Sequence, residues 1–234
     1  MYNQKNLQDL NLQNLLFISK ILKKTEHFVF YGTLLGLTRE QKIINGDDDI
    51  DLLIHNRFRN LVLKKMKSNK SFKLNKRVSN NYFIQYIKKK NNLTSFVDFY
   101  FYIKKPKQNY IIERHNFLSN IHDKNYSIHI PKKMVFPIKK SKKYKTVSLP
   151  NNPKALCKFL YGSTWLSPLQ KNTGYRMEIR QNKPLMIRRS FLGYLTRFVK
   201  ETFSNKFKKK IIYIISGSGK WDRTTDLRLM SPAL

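Results

Sequence analysis

Apolar residues in the first part of the chain recur with two different periods, and each change of period marks a change of element. Over residues 7–24 the positions Leu7, Leu10, Leu15, Ile18, Ile21 and Leu22 fall three to five apart with Lys and Gln between them, which predicts an amphipathic scaffold helix. His27-Phe28-Val29-Phe30-Tyr31 is a short β-prone run that ends on Gly32-Thr33, and residues 34–39 then read as a short helix. A strand, a tight turn and a helix N-terminus in that order offer unpaired backbone amides, which a glycine lets an anion approach closely. Ile50-Asp51-Leu52-Leu53-Ile54 has the near-continuous apolar character of a buried strand. Residues 56–70 return to helical spacing with Phe58, Leu61, Val62 and Met66 inward. Three β-prone runs at 71–77, 82–88 and 94–103, joined by Asn80-Asn81 and by Lys89-Lys90-Asn91-Asn92, predict an antiparallel meander.

Periodicity fades over residues 104–133. His115, His122 and His129 recur every seven positions there, but Pro131 and the polar filling break any single helix, so they read as unrelated histidines. Met134 to Ile138 and Tyr144 to Pro150 predict a short hairpin around a lysine-rich turn. Asn151-Asn152-Pro153-Lys154 then opens a helix, with Asn as cap, Pro in the first turn, and Ala155, Leu156, Phe159 and Leu160 on its buried side. Cys157 belongs with that core, and Tyr161-Gly162 ends the helix. Over residues 191–215 Phe191, Leu192, Leu195, Phe198, Val199, Phe203, Phe207, Ile211 and Ile214 keep helical spacing among Lys and Arg. Such a helix either packs on the main domain or lies on an anionic membrane surface. Residues 217–234 change composition sharply, as if a reading frame ran on into a structural-RNA gene, and are expected to be disordered or spurious. The expected divisions are a scaffold helix over 1–27, a main domain over 28–170, a basic amphipathic helical extension over 171–216, and the tail.

Charge adds a second layer. The chain of 234 residues carries 47 Lys and Arg against 14 Asp and Glu, a formal net charge of +33. That balance favours polyanions such as nucleic acid, an anionic membrane or an anionic substrate. Lys and Asn are abundant in every loop, so compositional bias accounts for much of the excess. The single cysteine excludes an internal disulfide and a cysteine-built zinc site. The polar N-terminus lacks a signal peptide's apolar run, and no stretch reaches the roughly 18 apolar residues that cross a bilayer, so the expected location is cytoplasmic.

Against this basic background the acids are oddly placed: Asp47, Asp48, Asp49 and Asp51 put four of the 14 within five positions. Carboxylates so crowded repel one another, a cost that divalent cations and phosphate chemistry would offset. Strand alternation puts Asp49 and Asp51 on one face, with Asp47 in line just before them and Ile50 and Leu52 facing the other way. Asp98 sits inside Ser95-Phe96-Val97-Asp98-Phe99-Tyr100-Phe101, where a lone charge is costly unless a metal or a lysine compensates it. If its strand lies beside the Asp49/Asp51 strand, three carboxylates converge.

These residues carry a resemblance. Tyr31-Gly32-Thr33-Leu34-Leu35-Gly36, Arg39, Asp47-Asp48-Asp49-Ile50-Asp51 and Val97-Asp98-Phe99, followed by Leu149-Pro150-Asn151-Asn152-Pro153 and Leu160-Tyr161-Gly162-Ser163-Thr164-Trp165, resemble the LicD/fukutin-like family of the nucleotidyltransferase superfamily. Coverage is about residues 28–170; Asn45-Gly46 stands where the family usually has a tryptophan, a departure that bears on substrate choice. The resemblance implies an α+β fold, a mixed or antiparallel nucleotidyltransferase-like sheet flanked by helices, followed here by the basic helical C-terminal extension. It implies transfer of phosphocholine or a polyol phosphate from a CDP-activated donor to a hydroxyl of a glycan or glycolipid precursor at the cytoplasmic membrane face. Asp49, Asp51 and Asp98 would hold Mg²⁺ or Mn²⁺ and form the catalytic set, while Gly32, Thr33 and Arg39 would contact donor phosphates. Asp47 and Asp48 would hold a second metal, support the loop, or steer a donor amine. Two rivals stand beside this reading: a nucleotidyltransferase acting on RNA or a small molecule, and a non-catalytic basic binding module. Nucleic acid is disfavoured because the basic residues are spread along the chain and not gathered around stacking aromatics.

Overall fold

The computed structural model describes residues 2–114, 127–168, 175–180 and 182–188. The chain divides into two compact units, Met1–Ser167 with Met177–Met186, and Pro168–Arg176 with Ile187–Leu234. The expected helix over 191–215 and the tail over 217–234 lie outside the described residues, as do His115 and His122.

The first unit opens with α1 (Tyr2–Ile21), β1 (His27–Val29), α2 (Tyr31–Arg39) and β2 (Asp49–His55). A 3₁₀ turn (Asn56–Phe58) leads into α3 (Arg59–Lys67), and β3 (Lys73–Leu74), β4 (Phe83–Lys90) and β5 (Leu93–Lys104) complete the meander. Then come β6 (Tyr110–Glu113), β7 (Ile128–Pro131), α4 (Lys132–Val135), β8 (Lys139–Lys140), β9 (Ser148–Leu149) and α5 (Pro153–Tyr161). Seven strands form one mixed sheet in the order β1-β2-β5-β4-β3, with β6 continuing from the far end of β5 and β7 beyond it. Among the described residues of this sheet β2 and β5 run parallel and the other pairs are antiparallel. The expected α+β architecture, a mixed sheet flanked by helices, is thus observed.

Strands β2 and β5 are the centre of the sheet. Ile50, Leu52, Leu53 and Ile54 of β2 and Val97, Phe99 and Phe101 of β5 are all buried, as in a sheet covered on both sides. Leu15 and Ile18 of α1 and Leu22 just after it, Leu34 and Leu37 of α2, Val62 and Met66 of α3, and Leu156, Cys157 and Leu160 of α5 join the same core. The inward stripe expected for α1 is present, but the helix also buries polar groups: Asn11 and Asn14 are wholly inaccessible to solvent.

Several expectations are corrected. Helix α2 begins at Tyr31, so Gly32 and Thr33 form its first turn and do not precede it. The segment after β5 contains the strands β6 and β7, whose four-residue lengths are too short to show a period. The hairpin expected around the lysine-rich turn is reduced to β8 and β9, two residues each, because Met134 and Val135 belong to the helical turn α4. Within the stretch expected to be a helical extension, β10 (Tyr175–Arg180) and β11 (Lys183–Arg188) pair as a separate hairpin.

Packing between α2 and the loop that follows it is close at Gly36. A Cβ there would stand 2.6 Å from the Lys42 carbonyl oxygen, 2.9 Å from Ile44 Cγ1 and 3.1 Å from the Ile44 amide. Two of these atoms are backbone, so a side chain would push away the segment leading to Asp47. Gly36→Ala is expected to lower stability by roughly 1–3 kcal/mol, the usual cost of overpacking, read from the urea midpoint. An unchanged midpoint would show that residues 42–44 yield freely.

Candidate active and metal site

Parallel pairing of β2 with β5 sets Asp49 opposite Phe96 and Asp51 opposite Asp98. Cross-strand partners project from the same face about 4.8 Å apart, so the Asp51 and Asp98 carboxylates are neighbours, with Asp49 two residues along. Carboxylate oxygens of Asp49, Asp51 and Asp98 lie within 4.8 Å of one another. Asp51 is 4% and Asp98 5% exposed. A second group with the same spacing is formed by Asp47, Asp48 and Asp49, so Asp49 belongs to both.

Asp51 and Asp98 are each held by specific donors. The Thr33 amide points at Asp51 Oδ2 over 3.4 Å, and Thr33 Oγ1 accepts from the Asp51 amide at 2.8 Å. The nearby Gly32 amide also favours the charged form of the Asp51 carboxylate. The N-terminus of α2 therefore supplies partial positive charge to Asp51. Gly32 and Thr33, expected at phosphate oxygens, hold Asp51 as their immediate task. A Cβ at Gly32 would stand 2.8 Å from Asp47 Oδ2 and 3.4 Å from Asp51 Oδ2, so two carboxylates close over that position. Asp98 Oδ1 accepts from Gln85 Nε2 at 2.9 Å, and Gln85 Oε1 in turn accepts from Asn75 Nδ2 at 2.7 Å. The hydrogen-bond partner of Asp98 among the described residues is thus an amide, and none of the ion pairs of the described residues joins it to a lysine.

The acidic loop is pinned from α1. Gln8 Nε2 donates to the Ile43 carbonyl, and Asn11 Nδ2 donates to the Asp47 carbonyl at 2.8 Å. Ser95 of β5 donates to Asn11 Oδ1 and accepts from Asn14 Nδ2 at 2.8 Å, while Lys88 Nζ donates to Asn14 Oδ1 at 2.9 Å. The Phe96 amide donates to the Asp48 carbonyl at 2.8 Å. Loop and strand are thereby fixed to one helix face. Arg39, expected at a donor phosphate, sits at the other end of α2, where both Nε and Nη2 bond Glu40 Oε1 at 3.0 and 2.6 Å.

Three tyrosines surround the acids and were not singled out as site residues from sequence. Tyr31, Tyr100 and Tyr161 have hydroxyls held far above their ordinary pKa, by burial first and then by nearby acids that include Asp51 in each case. Tyr31 and Tyr100 meet edge to face with ring centroids 5.0 Å apart. Tyr100 lies two positions after Asp98 on the same strand face, a signal that alternation alone could have supplied. Glu113, at the end of β6, is fully buried and also raises the Tyr31 hydroxyl; nothing in its short strand marked it in advance.

Electrostatics give the site its chemical character. Burial and then the neighbouring aspartates raise Asp49 and Asp51 well above the ordinary carboxylate range. Burial pushes Asp98 up to about 7, with Asp48 and Asp47 adding to the rise and the Gln85 amide opposing it. The charged neighbours acting on all three are other aspartates. Closely spaced oxygen ligands with uncompensated negative charge fit a hard divalent cation such as Mg²⁺ or Mn²⁺.

Three carboxylates thus converge from adjacent parallel strands beside a helix N-terminus in an α+β domain, an arrangement that could hold a metal ion. Residues 24–152, more than half of the chain, match the family described as LicD/FKTN/FKRP, nucleotidyltransferase domain, and the chain belongs to that family. Membership supports a transferase of the phosphotransferase type. No curated protein matches the chain. The matched stretch begins after α1 and ends before α5, so Asn11 and Tyr161 reach the site from outside it. Among the described residues no helix is long and apolar enough to cross a membrane.

Raised carboxylate pKa values have a definite stability consequence. When the folded pKa exceeds the unfolded one, the folded state binds more protons, so stability falls as pH rises from the unfolded pKa through the folded pKa. For the metal-free protein the Asp98 contribution is lost between about pH 4 and about pH 7, and Asp49 and Asp51 act in the same direction. A bound divalent cation replaces those protons. Melting measured with and without millimolar Mg²⁺ is expected to show a larger Mg²⁺-dependent rise in Tm at pH 8 than at pH 5. A rise independent of pH would dissociate Mg²⁺ binding from these acids.

Proposed function

We propose that the protein is a divalent-cation-dependent transferase that moves a phospho-alcohol, phosphocholine or a polyol phosphate, from a CDP-activated donor to a hydroxyl of a glycan or glycolipid precursor. The observation that carries this reading is the convergence of Asp49, Asp51 and Asp98 across the β2–β5 pair. In this family setting such a triad suits a reaction at a diphosphate.

Asp49, Asp51 and Asp98 are the residues that would hold the ion. When bound, Mg²⁺ or Mn²⁺ supplies positive charge that neutralises the donor diphosphate and favours in-line displacement. The first turn of α2 orients Asp51 and favours its charged form, against the opposing effect of burial. Gln85 occupies Asp98 Oδ1, and we assign the Asp98 carboxylate to accept the proton of the acceptor hydroxyl. The acceptor oxygen forms a bond to the phosphorus bearing the alcohol, the bond from that phosphorus to the bridging oxygen breaks, and CMP leaves. Tyr31, Tyr100 and Tyr161 supply hydroxyls and ring faces around the donor's alcohol. Asp47 and Asp48 complete the acidic rim, and Arg39 adds a donor-phosphate contact once released from Glu40. The place of work assigned to the protein is the inner face of the cytoplasmic membrane, reached through the basic segment 191–215.

Incubation with Mg²⁺ and CDP-choline, CDP-ribitol or CDP-glycerol, with and without oligosaccharide acceptors, is expected to release CMP from one donor. Asp51→Asn should retain the fold and lose at least about 100-fold in rate, and Gln85→Ala should lose roughly tenfold through misorientation of Asp98. Nucleotide incorporation from a nucleoside triphosphate with no CMP release from any donor would replace this reading with that of a nucleotidyltransferase.

A further inference from the structure

Helices α2 and α5 pack against each other and span the domain from the acids to a second feature. The N-terminal turn of α2 meets Asp51, and Tyr161 at the C-terminal end of α5 is close enough to Asp51, Asp47 and Asp49 to feel their charge. At the opposite ends of the pair, Leu37, Thr38 and Gln41 after α2, and Pro153 and Lys154 opening α5, border a cleft of about 500 Å³. Each helix has nine residues. At 1.5 Å per residue the cleft therefore lies about 12 Å along the helices from the carboxylates.

The β8–β9 hairpin closes this cleft and lines it with Lys139, Lys140, Lys142 and Lys143, opposite Lys154. Among the described residues the cationic partners in ion pairs are Arg39, Lys42, Arg57 and Lys104, and no cleft lysine is among them. The ammonium groups of Lys139, Lys140 and Lys143 instead donate to neutral oxygens. Lys140 Nζ bonds Ser148 Oγ at 2.8 Å and the Thr146 carbonyl at 3.2 Å, Lys143 Nζ bonds the Gln41 carbonyl at 3.0 Å, and Lys139 Nζ bonds the Asn151 carbonyl at 3.4 Å. Tyr144 Oη reaches the same Gln41 carbonyl at 3.3 Å. These bonds tie the hairpin to the ends of both helices and hold the ammonium groups in place while leaving their charge uncompensated. Partial desolvation, and then Lys23, hold Lys140 below the ordinary lysine range. An anion entering the cleft would relieve that repulsion.

The volume is of ligand-pocket size and far exceeds what a bare phosphate fills. Leu37, Leu149 and Pro150 add an apolar wall of the kind that packs on a sugar ring, and Gln41, Ser141 and Asn151 add neutral polar groups. We propose that this cleft is a second binding site, separate from the carboxylate centre and independent of metal, for the phosphoryl group of a phosphorylated sugar. Two sources share that chemistry, a phosphorylated acceptor glycan and the ribose phosphate of a nucleotide.

The test uses the full-length protein in excess chelator, titrated calorimetrically with glucose 1-phosphate, CMP and unphosphorylated glucose. Both phosphorylated probes should bind with an affinity that falls as salt rises, and glucose should not. The combined Lys140→Ala, Lys142→Ala and Lys143→Ala variant should bind them at least about tenfold more weakly, as expected for lost charge-assisted hydrogen bonds, whereas Asp49→Asn with Asp51→Asn should bind as tightly as the parent. Tighter binding of CMP assigns the cleft to the nucleotide, and tighter binding of glucose 1-phosphate to the acceptor. Amide shifts in the unaltered protein supply a check that needs no variant and should centre on Gln41, Ser141 and Tyr144. Equal binding of glucose, undiminished affinity in the triple variant, or shifts centred on Asp51 and Asp98 would each overturn the proposal.

Discussion

Repulsion between carboxylates that the sheet forces together is the constraint around which this domain is arranged. Asp51 and Asp98 stand directly opposite on adjacent parallel strands, each nearly inaccessible to solvent, with Asp49 completing the group. In isolation such a group is unfavourable, because burial and mutual repulsion both penalise the charged form. The surrounding structure offsets part of the cost with neutral donors: the Gly32 and Thr33 amides on Asp51, and the Gln85 side chain on Asp98. It leaves the charge itself uncompensated, as the proposed cation site requires.

The scaffold accordingly reads as a set of fixings for the acidic loop and the strands that carry the carboxylates. Gly36 lets the loop after α2 lie close against that helix, and Gln8 and Asn11 of α1 hold the same loop by its carbonyls. Ser95 joins α1 to the strand that carries Asp98, so one buried polar layer registers both strands. Such a layer is stable only when nearly every member is satisfied, and the Asn11–Ser95–Asn14–Lys88 chain meets that condition. Helix α1 is therefore part of the site's support although it precedes the stretch matched to the family.

Much of the site could be read from the residues. Alternation within Asp49-Ile50-Asp51-Leu52 predicts the shared face, and the cost of a charge inside Phe96-Val97-Asp98-Phe99 predicts that Asp98 has a partner; both strands are where these arguments put them. What could not be read depends on long-range pairing. Gln8, Asn11 and Asn14 look like the solvent side of an amphipathic helix, since an amide buried against a distant loop has the same local pattern as one in water. Strands β6 and β7 are four residues each and lack a period to detect. The extent of α2 depended on Asp51 capping it from another strand, so the Gly32–Thr33 turn looked like a free anion cradle and proved to be a clamp on the carboxylate. Glu113 is invisible for the same reason: its burial is set by its β5 and β7 neighbours and not by its own segment.

The central claim is that Asp49, Asp51 and Asp98 together form a divalent-cation site. The most direct measurement is anomalous diffraction at the manganese edge from crystals of the full-length protein grown with Mn²⁺. The account predicts a peak within bonding distance of oxygens from all three residues, absent in Asp51→Asn crystals. A peak confined to Asp47 and Asp48, or none near Asp98 at saturating Mn²⁺, would contradict it.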